Sequence, residues 1–373
     1  MTGKKQEITF PNIEYEIINE NVLIDDLAEK LHKLYQSPFS DITYLNLQNS
    51  SITENACCKL VIHENSVLKH IILFKYNGKE KKITILNQCI KMSTTDIETI
   101  SEALFHKFSH VQQIIFSYLF IVDKEKKEKI IYKMISDDSI LELPENMNEY
   151  LKTLDKKTRK YFQYYEHRIE KELPDFEVVY SEKQNICLEQ VEQVVQLNRD
   201  RMKNKGIKSG VTCILCEKSY QYARLNGFLC LCCDKGNIIG GTICSVVGEH
   251  AFVHTVAHDD HYQKYSIGQI ALIKTIQYAI DNKIRQLHLL WGDFDYKSRL
   301  LCKKCDLFTV VKYRKKVAWH YHKMIYAVVS FAKGCKLWVK KKLMQYRPIT
   351  NTYRSIRKFF LFGWHDRHVM LYH

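Results

Sequence analysis

The sequence predicts an α/β chain made of two mixed-sheet units side by side, followed by a basic helical tail. Three observations predict it. Strand-like and helix-like runs alternate along the chain. One order of elements, three consecutive strands, a helix and a returning strand, occurs over 58–120 and again over 228–291. The charge is concentrated at one end. A strand reached through a crossover helix returns parallel to its neighbour, so each copy predicts a mixed sheet. A single large mixed sheet is the alternative arrangement. At about 150 residues per domain, 373 residues suit two domains and one further segment, placed at 1–145, 146–317 and 318–373.

Residues 58–63, 67–76 and 82–90 read as strands, rich in Ile, Val and Leu. Asn77-Gly78 predicts a type I′ hairpin between the last two, because both residues tolerate positive φ. A helix is predicted over 95–108, with Ile97, Ile100, Leu104 and Phe108 on one face, and a strand over 111–120. Over 155–172, Tyr161, Tyr165 and Ile169 form one stripe of a helix that Pro174 ends. A strand at 176–180, a helix at 187–205 and strands at 228–233, 238–247 and 250–257 follow. Helix 267–282 and strands 286–291 and 307–313 complete the second unit.

The chain holds 56 Lys and Arg against 42 Asp and Glu, a net charge of +14. From Lys312 to His373 there are 15 basic residues and one acid, Asp366, so the first 311 residues balance to zero. That excludes a chain built throughout to coat nucleic acid. Within 317–344, Tyr321, Ile325, Val328, Phe331, Cys335 and Trp338 recur at spacings of three and four, with Lys323, Lys333, Lys336, Lys340, Lys341 and Lys342 among them. A basic amphipathic helix with aromatic anchors suits an anionic membrane surface. Packing against the second unit, with the lysines in solvent, is the competing reading, and nucleic acid is disfavoured.

The first residues, MTGKKQEITFPN, have no apolar segment behind their charges, as a secretory signal needs. The apolar run from Met324 to Ala332 falls well short of the roughly 20 residues that span a bilayer. Thirteen cysteines without a signal read as reduced thiols. The expected location is therefore cytoplasmic, with peripheral contact at the inner membrane face through residues 318–373. Cys213/Cys216 and Cys302/Cys305 have zinc-ligand spacing, but the pairs lie far apart in sequence, and no metal is expected.

Chemistry concentrates in 254–301. A strand ends near Ala257, a polar loop enters a helix at Ser266-Ile267-Gly268, and the next strand ends in Trp291-Gly292-Asp293 ahead of Tyr296, Lys297 and Arg299. Ser266 is a good N-cap residue, and Gly268 leaves room beside the first turn. Free amides and the positive end of the helix favour an anion there. Strand ends beside a helix N-terminus are where α/β sheets place their sites.

The run Tyr262, Tyr265-Ser266-Ile267-Gly268, an apolar helix, then Leu289-Leu290-Trp291-Gly292-Asp293 and Tyr296-Lys297 resembles the GNAT-superfamily acetyltransferase domain of cellulose- and polysaccharide-biosynthesis enzymes (BioF2-like, Fem-related). The basic helix around Lys157, Thr158 and Arg159 resembles the same family, and the likeness covers roughly 150–315. Ile267 stands where relatives often have proline. The resemblance implies a GNAT-like fold for both units and acyl transfer from acetyl-CoA or another acyl-CoA to an amine or hydroxyl. The acceptor it implies is a small-molecule or lipid-linked sugar in cell-surface polysaccharide assembly. It implies cofactor contacts at Tyr265, Ser266, Ile267, Gly268 and Gln269, substrate contacts at Arg159 and Lys297, and catalytic work by His254, His258, Asp293 and Tyr296. A Fem-like transferase using aminoacyl-tRNA and a non-catalytic scaffold of the same fold are the rival readings.

Overall fold

The computed structural model describes residues 13–18, 24–48, 58–206, 209, 213–292 and 294–344. Two runs of strands, with helices between them, build its sheet. In the first half these are β1 (Ile13–Ile18), β2 (Cys58–Glu64), β3 (Val67–Asn77), β4 (Lys82–Ile85), β5 (Lys91–Met92), β6 (Gln113–Ile121) and β7 (Ile130–Glu142). In the second they are β8 (Phe176–Glu182), β9 (Gly227–Asp234), β10 (Asn237–Val247), β11 (His250–His258), β12 (Gln286–His288) and β13 (Lys303–Tyr313). The helices are α1 (Ile24–Tyr35), α2 (Ile42–Gln48), α3 (Thr94–Lys107), α4 (Met147–Thr153), α5 (Lys156–Glu172), α6 (Leu188–Asn204), α7 (Cys213–Asn226), α8 (Ile267–Asp281), α9 (Asp295–Arg299) and α10 (Lys316–Met344).

The strands form one continuous sheet in the order β1-β2-β3-β4-β6-β13-β7-β12-β11-β10-β9-β8, with β5 beside β6. The two arrangements anticipated above are both present, because two units of like order share a single sheet. β6 pairs parallel with β4 and β5 in the first unit, and β12 parallel with β11 in the second, as the crossover helices α3 and α8 require. The centre is exchanged. β7 follows β6 in sequence yet lies against β12, and β13 from the chain's far end lies against β6. Both exchanged strands pair antiparallel with each other, so each unit is completed by a strand of the other.

Helix α8 is apolar on nearly every side, with Ile267, Ile270, Leu272, Ile273, Ile276 and Ile280 all buried, as suits a helix enclosed between sheet and helices. It packs with Phe162 and Ile169 of α5 over one face of the second half. Val191, Val194 and Val195 of α6 and Ala223 of α7 cover the other face. In the first half, Ile97, Ile100 and Leu104 of α3 pack on β2, β3, β4 and β6.

Several elements differ from the sequence reading. The β3–β4 connection is a four-residue loop in which Lys81 (φ 51°), not Asn77-Gly78, carries the positive φ. Asn77 instead accepts a hydrogen bond from the Glu80 amide, which stabilises the longer turn. Segment 82–90 leaves the sheet after Ile85, because the buried Asn87 side chain bonds the backbone of Leu73 and Ile71. β12 ends at His288 rather than 291. β7 was not anticipated. Its sequence, IIYKMISDDSILE, mixes Lys133, Asp137 and Asp138 into the strand and blurs the alternation that marks one.

Candidate active site

β11 and β12 pair over only three residues, His250, Ala251 and Phe252 against Gln286, Leu287 and His288. Beyond them the strands part. β11 runs on to His258, whereas Leu289 and Leu290 turn toward β7 and bond the backbone of Ser139. In β11 the register against β10 jumps, with Ile243 opposite Thr255 and Cys244 opposite Val253. His254 is thus the extra residue of a β-bulge, a distortion that releases one residue from the ladder and re-aims it.

The other edge of the gap is braced. Leu290 (φ 52°) and Gly292 (φ 97°) take left-handed backbone angles, strained for a leucine. Lys297, only 4% exposed, donates from Nζ to the carbonyls of Leu290 (2.8 Å) and Trp291 (2.9 Å). A residue expected to contact the substrate therefore holds the strained strand end in place. Asp293 lies outside the described residues.

Helix α8 starts at the mouth of this gap. Ser266 adopts a left-handed conformation (φ 56°, ψ 35°) and makes no side-chain cap, contrary to its expected capping role. In that conformation its carbonyl receives the amides of Gln269 and Ile270, while Oγ pairs with the hydroxyl of Tyr161. The amides of Ile267 and Gly268, in the first turn, have no carbonyl four residues back within the helix. Ile267 is fully buried as a whole residue, its side chain against Gly240. Tyr265 is a buried packing residue, with Lys264 and Arg168 over its ring. At Gly268 a Cβ would lie 2.6 Å from Nδ1 of His258, so the space that glycine leaves belongs to that imidazole.

His258, at the end of β11, has a buried Nδ1 without a hydrogen-bond partner among the described residues. Burial, reinforced by the positive charge of Arg201, lowers its pKa to about 4. His254 is lowered to about 4 by burial, and its Nε2 lies 2.7 Å from Ser245 Oγ. Both rings are neutral at physiological pH and can accept a proton. Burial raises the Tyr296 phenol to about 12, against the pull of Arg201, so it keeps its proton. Arg201 in the last turn of α6 thus acts on both His258 and Tyr296, and nothing in the local sequence sets it apart from Lys203 of the same turn. Arg159 bonds the carbonyl of Lys152, and the α5 residue that reaches α8's start is Tyr161, beneath Arg299. On the opposite face, His254 floors a small pocket with Ser245, Lys218, Ser219 and Tyr222 of the second half and Tyr44 of the first. Among the described residues no cluster of His, Cys, Asp and Glu is arranged to hold a metal ion.

Residues 151–298 match the family model described as an acetyltransferase (GNAT) domain, a stretch that contains α5 to α8 and both edges of the gap. The second half of the chain carries the GNAT acyltransferase fold. FemX has a similar structure, with a TM-score of 0.56 at 10% sequence identity, covering 79% of this chain and 96% of FemX. A conserved protein of unknown function from Bacteroides thetaiotaomicron VPI-5482 is also similar, with a TM-score of 0.51 at 11% identity, covering 79% of this chain and 99% of the other. At such identities the likeness is one of fold. No curated protein matches the chain in sequence.

Proposed function

We propose that the protein moves an acyl group from acyl-CoA, in the simplest case acetyl-CoA, to an amine or hydroxyl. The observation that carries this reading is the parting of β11 and β12 at the His254 bulge, beneath the uncapped start of α8. The gap would take an extended thioester arm, and the positive end of α8 would draw a pyrophosphate toward it, with Arg201 nearby. The partnerless, buried Nδ1 of His258 and the tight space at Gly268 fit a site that a polar ligand completes.

In the proposed reaction the acceptor attacks the thioester carbonyl directly. The main chain at the bulge offers an N–H to the oxyanion as it develops. A neutral imidazole takes the proton that the attacking nitrogen or oxygen loses, and our candidate for it is His254, which lines the pocket shared by both halves. As the carbon–sulfur bond breaks, the thiolate takes the phenolic proton of Tyr296. The acceptor class we infer is a sugar amine or hydroxyl, free or lipid-linked, of cell-surface polysaccharide assembly. Its support is the resemblance of the 262–297 motif. Titration calorimetry with CoA and acetyl-CoA tests the donor. Saturable heat is expected from both, and a folded protein that gives none from either overturns the reading.

A further inference from the structure

We infer that helix α10 lies along an anionic lipid surface and holds the protein there. Its root is fixed. The Arg314 guanidinium sits among the carbonyls of Phe105, Phe108 and Val111, and Lys312 pairs with Glu98 at 2.9 Å. The first turns touch the body through one side of the helix. Trp319 Nε1 donates to the carbonyl of Ile130, and His322 stacks on Tyr313 at 5.1 Å.

At 3.6 residues per turn, Val317, Tyr321, Met324, Val328 and Phe331 fall on the side opposite Trp319 and His322. The apolar stripe therefore faces away from the body. Val317 is 80% exposed, Met324 63%, Val328 63% and Phe331 75%. Packing against the second half, the competing reading of this helix, is excluded for this stretch by the side on which its anchors lie.

The occupant follows from charge. Residues 312–373 carry 15 Lys and Arg and one acid, so the stripe belongs to a segment that anionic headgroups attract and a basic protein surface would repel. Apolar side chains next to lysines match the boundary between acyl chains and phosphates. No helix among the described residues is long and apolar enough to cross a membrane, and α10 accordingly lies in the interface rather than through it.

Co-sedimentation of the full-length protein with vesicles tests this. Pelleting is expected with vesicles containing phosphatidylglycerol, not with phosphatidylcholine alone, and should weaken as salt rises. Met324→Ser, Val328→Ser and Phe331→Ser together should reduce binding about tenfold or more, because they remove apolar contact and leave the charge intact. Circular dichroism and CoA titration of that variant should match the parent, which keeps failure of this inference distinct from failure of the donor reading. Equal pelleting of the variant, or no preference for the anionic lipid, overturns the inference. So does a dimer in light scattering that the triple variant dissolves, since a second copy would then cover the stripe.

Discussion

The two crossover helices begin in opposite ways. In the first half Ser93 caps α3 and is capped in return by Asp96, and the carboxylate of Asp123 accepts the Thr94 amide at 2.7 Å. Two acids of the chain itself thus occupy the end where an anion would sit. Burial works against Asp96, but the adjacent His70 and Lys69 and hydrogen bonds from Ser93 hold its carboxyl well below the ordinary range. The gap beside α3 is also closed, because residues 89–92 rejoin β6 through Cys89, Ile90 and Met92. In the second half Ser266 caps nothing with its side chain, β11 and β12 do not rejoin, and β11 carries a bulge at His254. One architecture is therefore sealed in one copy and open in the other, and the open copy is the one that matches the GNAT acetyltransferase model.

Four perturbations would break or sharpen that contrast. Gly268→Asp places a carboxylate where the first half already has one, against His258. CoA affinity in calorimetry should fall about a hundredfold or more, while circular dichroism is retained. If affinity survives, the open end of α8 is not the anion site. Lys297→Ala leaves the carbonyls of Leu290 and Trp291 without their buried donor and should cost roughly 2 to 3 kcal/mol in urea unfolding. A surface lysine would cost almost nothing, so this measurement separates brace from ligand. Asp96→Ala removes one of the two acids at the start of α3, and about 1 kcal/mol of stability should go with it, with CoA binding unchanged. New CoA binding by that variant would show that this one carboxylate separates the halves.

The mildest perturbation is pH. His250, His254 and His258 all fall from the ordinary 6.5 to about 4, chiefly through burial. Above 6.5 these groups are neutral folded and unfolded, and stability does not depend on them. Between 6.5 and 4 the unfolded chain takes up protons that the native rings refuse, so the thermal midpoint should decline across that window. His32, raised by its hydrogen bond to Asp41, works in the opposite sense and is outnumbered. A midpoint flat from pH 7 to 4 would mean that the site histidines are open to solvent.

Much of this was legible in the chain. The apolar run of α8, the strands around it and the tail helix stand out by period alone, since burial on one or all sides leaves its mark in composition. The neighbourhood of Ser266 and Gly268 could be located in the same way. What each residue does there could not. Gly268 makes room for a histidine, Ser266 turns its hydroxyl to Tyr161, and Lys297 points inward, because each outcome depends on partners 6 to 105 positions away in sequence. β7 was hidden by its acids, and one of them, Asp138, pairs with His288 across the exchanged centre of the sheet at 2.6 Å.

The sequence by itself determined the α/β class, the doubled order of elements, the place of the GNAT-like motif and the confinement of +14 charges to the last 62 residues. These are local properties, written in periodicity and composition. Only the tertiary structure decided that the halves exchange their closing strands, that one helix end is sealed and the other open, and that the apolar side of the tail turns away from the body. Those outcomes depend on which distant residues meet, and no local pattern records such meetings.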